Sequence, residues 1–287
     1  MPHELVFEMS VSPDVPVTST SAVSFETGAS PEQTRDPSVF AYEHHGAGFD
    51  TTSPGALQRF YEDLLLGRAL PLRFETRAIA GIDTVVAVAL FMHRDLAISP
   101  ATAPFVAIVD ATHRLGIAYA AHVEVPVERF LRLLRAYVLP DTPLSKREVA
   151  DRLGTTLGWV RSYLMDGTLP HLGVEAPPPR VLDHGANGFV VAQASGPLPD
   201  AWIDLYRRGF LRGLVVGPDA DGRRRVLAAR KSPHVAFDLT RAAAYLNEIE
   251  RSIGGPPEWR EDGLWLSGPS VGTTLLLSHL MEVFLRV

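Results

Sequence analysis

Phe105-Val-Ala-Ile-Val-Asp110 is the stretch on which the reading of the fold turns. A continuous apolar run of this length predicts a strand covered on both faces, as in a parallel sheet. Ligands of open α/β sheets collect outside the carboxyl ends of the strands, so Asp110 stands where a catalytic carboxylate is expected. Nothing structural in the sequence asks for an acid at the end of so apolar a strand. Upstream, Leu5 to Met9 and Ala22-Val-Ser-Phe-Glu26 read as strands, and Leu72 to Ile79 alternates like another. Ser53-Pro54 opens a helix, Ser53 as cap and Pro54 in the first turn, with Leu57, Phe60, Tyr61, Leu64 and Leu65 at helical spacing and Gly67 closing it. A turn at Ala80-Gly81 leads into a buried helix from Asp83 to His93, and Asp83 is open to two roles, N-cap of that helix or metal ligand. Pro126 to Tyr137 is an amphipathic helix with an Arg-rich outer face.

Downstream, Pro140 to Pro143 breaks the chain, and a helical pair follows, Ser145 to Gly154 and Gly158 to Asp166. Pro177-Pro178-Pro179 makes a second break. Beyond it, strands are expected at Gly188-Phe-Val-Val-Ala, Gly213-Leu-Val-Val-Gly217 and Arg225 to Arg230, and a helix at Asp238 to Ile253 ending on Gly254-Gly255. The expected class is α/β: a parallel-sheet N-terminal domain over 1–139, a helical connector over 140–179, and a smaller α/β C-terminal domain over 180–287.

The 287 residues suffice for one large or two moderate domains. With 46% hydrophobic and 21% charged residues the composition is that of a globular protein. A formal charge of −6 argues against a surface coated in Lys and Arg for nucleic acid. The absence of Cys excludes disulfides, thiolate zinc sites and Cys nucleophiles. Any metal must sit on His, Asp or Glu. The start of the chain lacks the basic region and apolar core of a signal peptide, and the longest apolar stretch is too short to span a bilayer. A soluble, cytoplasmic protein that does not engage membranes is the expectation.

Glu43-His44-His45 ends one apolar run and precedes Gly46-Ala-Gly48, holding three metal-capable side chains where backbone approaches a ligand closely. Adjacent residues of a strand face opposite sides, so both imidazoles enter one site only if the strand is ending. His93 with Asp95 and His113 beside Asp110 extend the set, and carboxylates with imidazoles are the ligands of two-metal phosphoester sites. A His-rich strand end and capped or solvated helix ends are the bland alternatives. In the C-terminal half, Arg223-Arg-Arg225 and Arg230-Lys231 stand near Gly254-Gly255, a combination suited to clamping phosphate or carboxylate. A solvated hairpin edge reads equally well. Gly268-Pro-Ser-Val-Gly-Thr-Thr274 lacks the Lys and the spacing of a phosphate loop.

These motifs resemble the DHH superfamily of phosphoesterases, which includes RecJ-type exonucleases and exopolyphosphatases. Tyr42-Glu43-His44-His45 looks like that family's Asp-His-His signature with Glu for Asp, and Ile108-Val-Asp110 like its later metal-ligand Asp. Residues 212–274 are similar to its associated C-terminal domain, with Arg230 where the substrate-binding Arg is expected and Gly254-Gly255 where a Gly-rich loop is expected. The family's opening motif has no counterpart, and the loop Gly254 to Trp259 lacks its His. The resemblance implies a Mn-dependent phosphoesterase scaffold acting on a nucleotide or nucleic acid. His44, His45, Asp83 and Asp110 would hold metal, His45 and Asp110 would serve catalysis, and Arg230, Gly254 and Gly255 would bind substrate. A homo-oligomer is compatible with this reading. So is a scaffold that has lost catalysis and serves as a partner subunit.

The rival is a DNA-binding regulator. Leu144 to Gly154 followed by Trp159 to Pro170 resembles the helix-turn-helix of excisionase and MerR-type proteins. Residues 146–169 carry four Lys/Arg against three Asp/Glu, however, and phosphate neutralisation is what gives such readers their affinity.

Overall fold

The structure is a computed structural model that describes residues 8–12, 14–43, 53–77, 81–138, 146–170, 177–220 and 223–286. The chain is α/β and divides into two compact units, 1–116 with 123–172, and 117–122 with 173–287.

Unit 1 is built on a four-stranded parallel sheet. Its strands are β1 (Glu8–Val11), β2 (Val23–Phe25), β3 (Phe40–Tyr42) and β4 (Arg73–Thr76), ordered β1-β4-β2-β3. Helix α1 (Pro31–Arg35) joins β2 to β3 and opens with a capping box, Ser30 accepting from the Gln33 N–H while the Gln33 side chain accepts from the Ser30 N–H. Helix α2 (Ala56–Leu65) returns the chain from β3 to β4. Strand alternation turns Val23, Phe25, Tyr42 and Phe74 to one face, where their rings meet Phe60 of α2 edge-on. Helix α3 (Ile82–Met92) lies in this core with every residue from Asp83 to Phe91 buried, as its all-round apolar sequence requires.

The stretch Phe105–Asp110 is not a strand. It lies within α4 (Thr102–Leu115), whose buried positions Thr102, Phe105, Val106, Val109 and Asp110 follow the i, i+3, i+4, i+7 pattern of a helix with one buried face. An apolar run of five residues is common to buried strands and helices, and periodicity over so short a window does not separate them. Pro104 fits the first turn of α4, where no N–H partner is lost. The start of α2 also differs from the reading of Ser53 as cap: Gly55 occupies the N-cap, and no side chain of its own caps this helix. Asp83 is likewise not an N-cap, since Gly81 holds that place and Asp83 is the second residue of the helix.

The chain then passes through α5 (Ile117–Ala120) and α6 (Val125–Val138) to α7 (Lys146–Asp166). The helical pair read from the sequence is one continuous helix of 21 residues, so the turn at Gly154 on which the helix-turn-helix likeness depends is absent. Val160 and Leu164 of α7 are buried in the core of unit 1, and the Tyr163 ring makes tilted contacts with Phe105 and Phe130, which stack on each other. Burial of that apolar stripe holds a helix whose Gly154 and Gly158 would otherwise favour a break.

Unit 2 carries a six-stranded mixed sheet. Its elements are β5 (Arg180–His184), β6 (Phe189–Gln193), α8 (Leu198–Arg207), β7 (Arg212–Ala220), β8 (Arg223–Arg230), α9 (Leu239–Ser252), β9 (Arg260–Asp262), β10 (Trp265–Ser267) and α10 (Leu277–Leu285), with strand order β5-β6-β7-β8-β10-β9. Only β6 and β7 are parallel, and α8 supplies their crossover. Phe189 and Val191 face a core closed by α9 and α10, while Val190 and Ala192 face α8, so the strands are apolar on both sides. Helix α5 packs on α8 in the same unit, where Arg207 Nε donates to the Ala121 carbonyl at 3.2 Å. Among the described residues no helix is long and apolar enough to cross a membrane.

Candidate functional site

The strands β2 and β3 each run into an acid at the carboxyl end of the sheet. Glu26 follows Phe25, and Glu43 follows Tyr42. Glu26 sits at φ 50°, in the left-handed region that costs a side-chain-bearing residue about 1–2 kcal/mol. Its N–H donates to the Tyr42 carbonyl at 2.9 Å, and its carboxyl hydrogen-bonds that of Glu43. Glu43 Oε2 also accepts from the Gly28 N–H at 2.6 Å, and the Glu43 carbonyl accepts from the guanidinium of Arg59 on α2. Burial, the Glu43 hydrogen bond and the charges of Asp83 and Glu43 push the Glu26 carboxyl up to about 11, so the pair retains a proton at neutral pH.

Two further acids face the same place. Asp83, in the first turn of α3, is buried, and its Oδ1 lies 3.0 Å from His113 Nδ1 of α4. His113 is raised above its ordinary 6.5: burial lowers it, but the hydrogen bond and charge of Asp83, with the charges of Asp110 and Glu43, outweigh burial. Asp110, one turn earlier on α4, accepts from the Gly55 N–H at 3.2 Å and the Gln58 N–H at 3.3 Å, and pairs with Arg114 Nε at 2.7 Å. Those two amides belong to the N-terminus of α2, so Asp110 caps that helix from a distance of 55 residues. A β-carbon at Gly55 would run into the Asp110 carboxylate, and one at Gly81 into that of Asp83. Glycine is needed at both places for close approach, whatever its conformation. Arg59 lies within electrostatic reach of Glu26, Asp110 and Glu43.

The structure therefore brings together four of the residues singled out from the sequence, Glu43, Asp83, Asp110 and His113. His44 and His45 lie outside the described residues. Arg230, Gly254 and Gly255 belong to unit 2, and each has a structural task there. Arg230 donates to the Gly263 carbonyl at 2.8 and 3.0 Å and to the Phe237 carbonyl at 3.2 Å. Gly254, at φ 73°, ends α9, and the Gly255 N–H donates to the Glu250 carbonyl at 2.8 Å. Glu250 itself is fully buried, accepting from Thr273 Oγ1 at 2.5 Å.

Glu26, Arg59 and the Asp83–His113 pair are the members that sequence reasoning did not assemble. A faint signal existed for Glu26, which ends an apolar triplet as Glu43 does. Among the described residues no three His, Asp or Glu side chains stand as a group able to hold a metal ion together. What the cluster offers chemically is four carboxyls, one imidazole and two guanidinium groups at the mouth of a parallel sheet, the place where such sheets bind ligands. In comparisons with known protein families, curated proteins and solved structures, the chain has no match.

Proposed function

We propose that unit 1 hydrolyses a phosphoester, of a nucleotide or a nucleic acid, with the help of a divalent cation at the ends of β2 and β3. The observation that carries this reading is the Glu26–Glu43 carboxyl pair, with Glu26 on a left-handed backbone. Two acids held against each other serve no packing purpose, and strained backbone beside a shifted carboxyl is characteristic of functional sites. Glu26 and Glu43 offer the carboxylate oxygens that a cation such as Mn takes, and His44 and His45, next in the chain, are the candidates to complete the set. Such an ion, when bound, supplies charge neutralisation at the phosphoryl oxygens and a water of lowered pKa. Arg59 holds the carbonyl of Glu43 and so fixes the residue from which the two imidazoles follow. Asp110 fixes the start of α2, on which Arg59 is carried.

The test is calorimetric titration of the purified protein with Mn and Mg, followed by turnover of a panel of phosphodiesters and short oligonucleotides. Stoichiometric binding, lost in Glu43→Gln, with turnover abolished by chelation, is the expected result. A second reading has its own support. Arg59 and Arg114 stand among four acids, one of which keeps its proton, and the surrounding acids favour the charged form of His113, so protein groups alone offset much of the charge without a cation. On that reading the protein is a scaffold without catalysis. Absence of both binding and turnover across Mn, Mg, Co and Zn would favour it.

A further inference from the structure

We infer that the end of unit 1 opposite the acid cluster docks a second copy of this chain about a two-fold axis. Helices α2 and α3 finish at the amino end of the parallel sheet, where Leu72 leads into β4. A short 3-10 helix, Arg94–Ile98, ties these ends to the end of α7. Arg94 donates to the Leu70 carbonyl at 3.3 Å and to the Pro71 carbonyl at 2.7 Å. Tyr61 Oη of α2 donates to the Ala97 carbonyl at 3.1 Å, and Ser99 Oγ donates to the Leu164 carbonyl of α7. Beside these bonded residues stand six large apolar side chains that are exposed: Leu65, Leu66, Leu72, Met92, Ile98 and Met165. Leu66 and Ile98 are each 82% exposed, so neither adds to the core of unit 1. Apolar residues scattered singly over a surface are ordinary, but six gathered around one turn form a patch of the kind that another molecule covers.

The charges beside the patch select the partner. Arg161 of α7 and Asp95 of the 3-10 helix both act on His93, so they share one part of its rim. Both are exposed, and among the described residues neither has an ion-pair partner. Close by on α2, Asp63 is taken by Arg68 and Glu62 accepts from Gln58, so no single sign dominates. An anionic membrane or a nucleic acid calls for a rim of positive charge. A two-fold axis instead lays the same patch of two copies face to face, and a rim with one free charge of each sign is then complementary to itself. Arg161 of each copy meets Asp95 of the other. Glu26 and Glu43 follow the carboxyl ends of β2 and β3, so the acid clusters of both copies stay uncovered, and the inference stands apart from the hydrolase reading.

Sedimentation equilibrium of the full chain is the test. Wild type should sediment as a dimer, and Leu66→Asp and Ile98→Asp should each shift it to monomer with an unchanged circular dichroism spectrum, since neither side chain packs within its own copy. Arg161→Asp and Asp95→Arg should each weaken the dimer about tenfold or more by bringing like charges together, and the double variant should restore it. That recovery keeps the proposal testable even if the apolar variants do not fold. A wild type that stays monomeric at about 100 μM, where even a weak dimer forms, overturns the proposal. A dimer left intact by both Leu66→Asp and Ile98→Asp overturns it as well, because the copies then meet elsewhere. A double charge variant that fails to recover the association lost in the single ones overturns the two-fold pairing. A monomer that binds phosphatidylserine vesicles through Leu66 and Ile98 assigns the patch to a membrane surface and overturns the second copy as its occupant.

Discussion

Glu26 is the residue at which local rules are broken most openly, and its protonation gives a direct prediction. In the unfolded chain its carboxyl ionises near 4.5, whereas the folded protein holds the proton up to about 11. The stability that protonated Glu26 contributes is therefore fully present below 4.5 and is lost as pH rises toward 11, by at most about 1.4 kcal/mol per pH unit. Glu26→Gln keeps a hydrogen-bond donor toward Glu43 and cannot ionise. In chelator-treated protein it should be more stable than wild type at pH 8 and show a flatter dependence between pH 5 and 9, read by urea denaturation. Identical slopes for the two proteins would mean that the carboxyl pair does not store a proton. Asp110 illustrates what the sequence could and could not convey at this scale. It drew notice as the acid ending an apolar run read as a strand, whereas it lies inside α4, and its partners were not legible, because Gly55 and Gln58 lie more than 50 residues away and no local pattern links them. Asp83 and His113 were each visible as ionisable groups, and only the packing of α3 beside α4 makes them a pair.

Elements were most legible where periodicity was long or turns were marked. Helices α3, α6 and α9 and strands β2, β4, β6, β7 and β8 stand within a few residues of where alternation, apolar runs and glycine stops put them. The parallel N-terminal sheet was expected as well, though for a wrong reason, since the run that suggested it is helical. The misreading of α7 has a testable side. Gly154 and Gly158 lie inside a continuous helix, and a β-carbon at either would meet nothing within 4 Å. Each Gly→Ala change should therefore stabilise the protein by about 0.5–1 kcal/mol, the helix-propensity difference. Destabilisation at Gly154→Ala, as a turn glycine would give, would count against a single helix. For α2 the sign is opposite. Asp110→Ala removes the side chain that caps it and should cost about 1–3 kcal/mol by urea denaturation, whether or not metal binding changes.

Across the whole molecule, order along the chain and membership of the two units do not coincide. Residues 117–122 belong with 173–287, although 123–172 return to unit 1. A fragment beginning at residue 173 would therefore lack α5, with Ile117, Ala118 and Ala121 missing from the apolar cluster around α8 and the Arg207 bond to Ala121 unmade. Such a fragment should be measurably less stable than one to which residues 117–122 are rejoined, by circular dichroism on heating. The same interlacing has a consequence during synthesis. Residues 117–122 leave the ribosome about 85 residues ahead of the end of α8, a wait of roughly 4–17 s at ordinary elongation rates. For those seconds, during which the first body itself is still being completed, the nascent chain displays a greasy hexamer whose berth has not been made, and that interval is where a holding chaperone would find it.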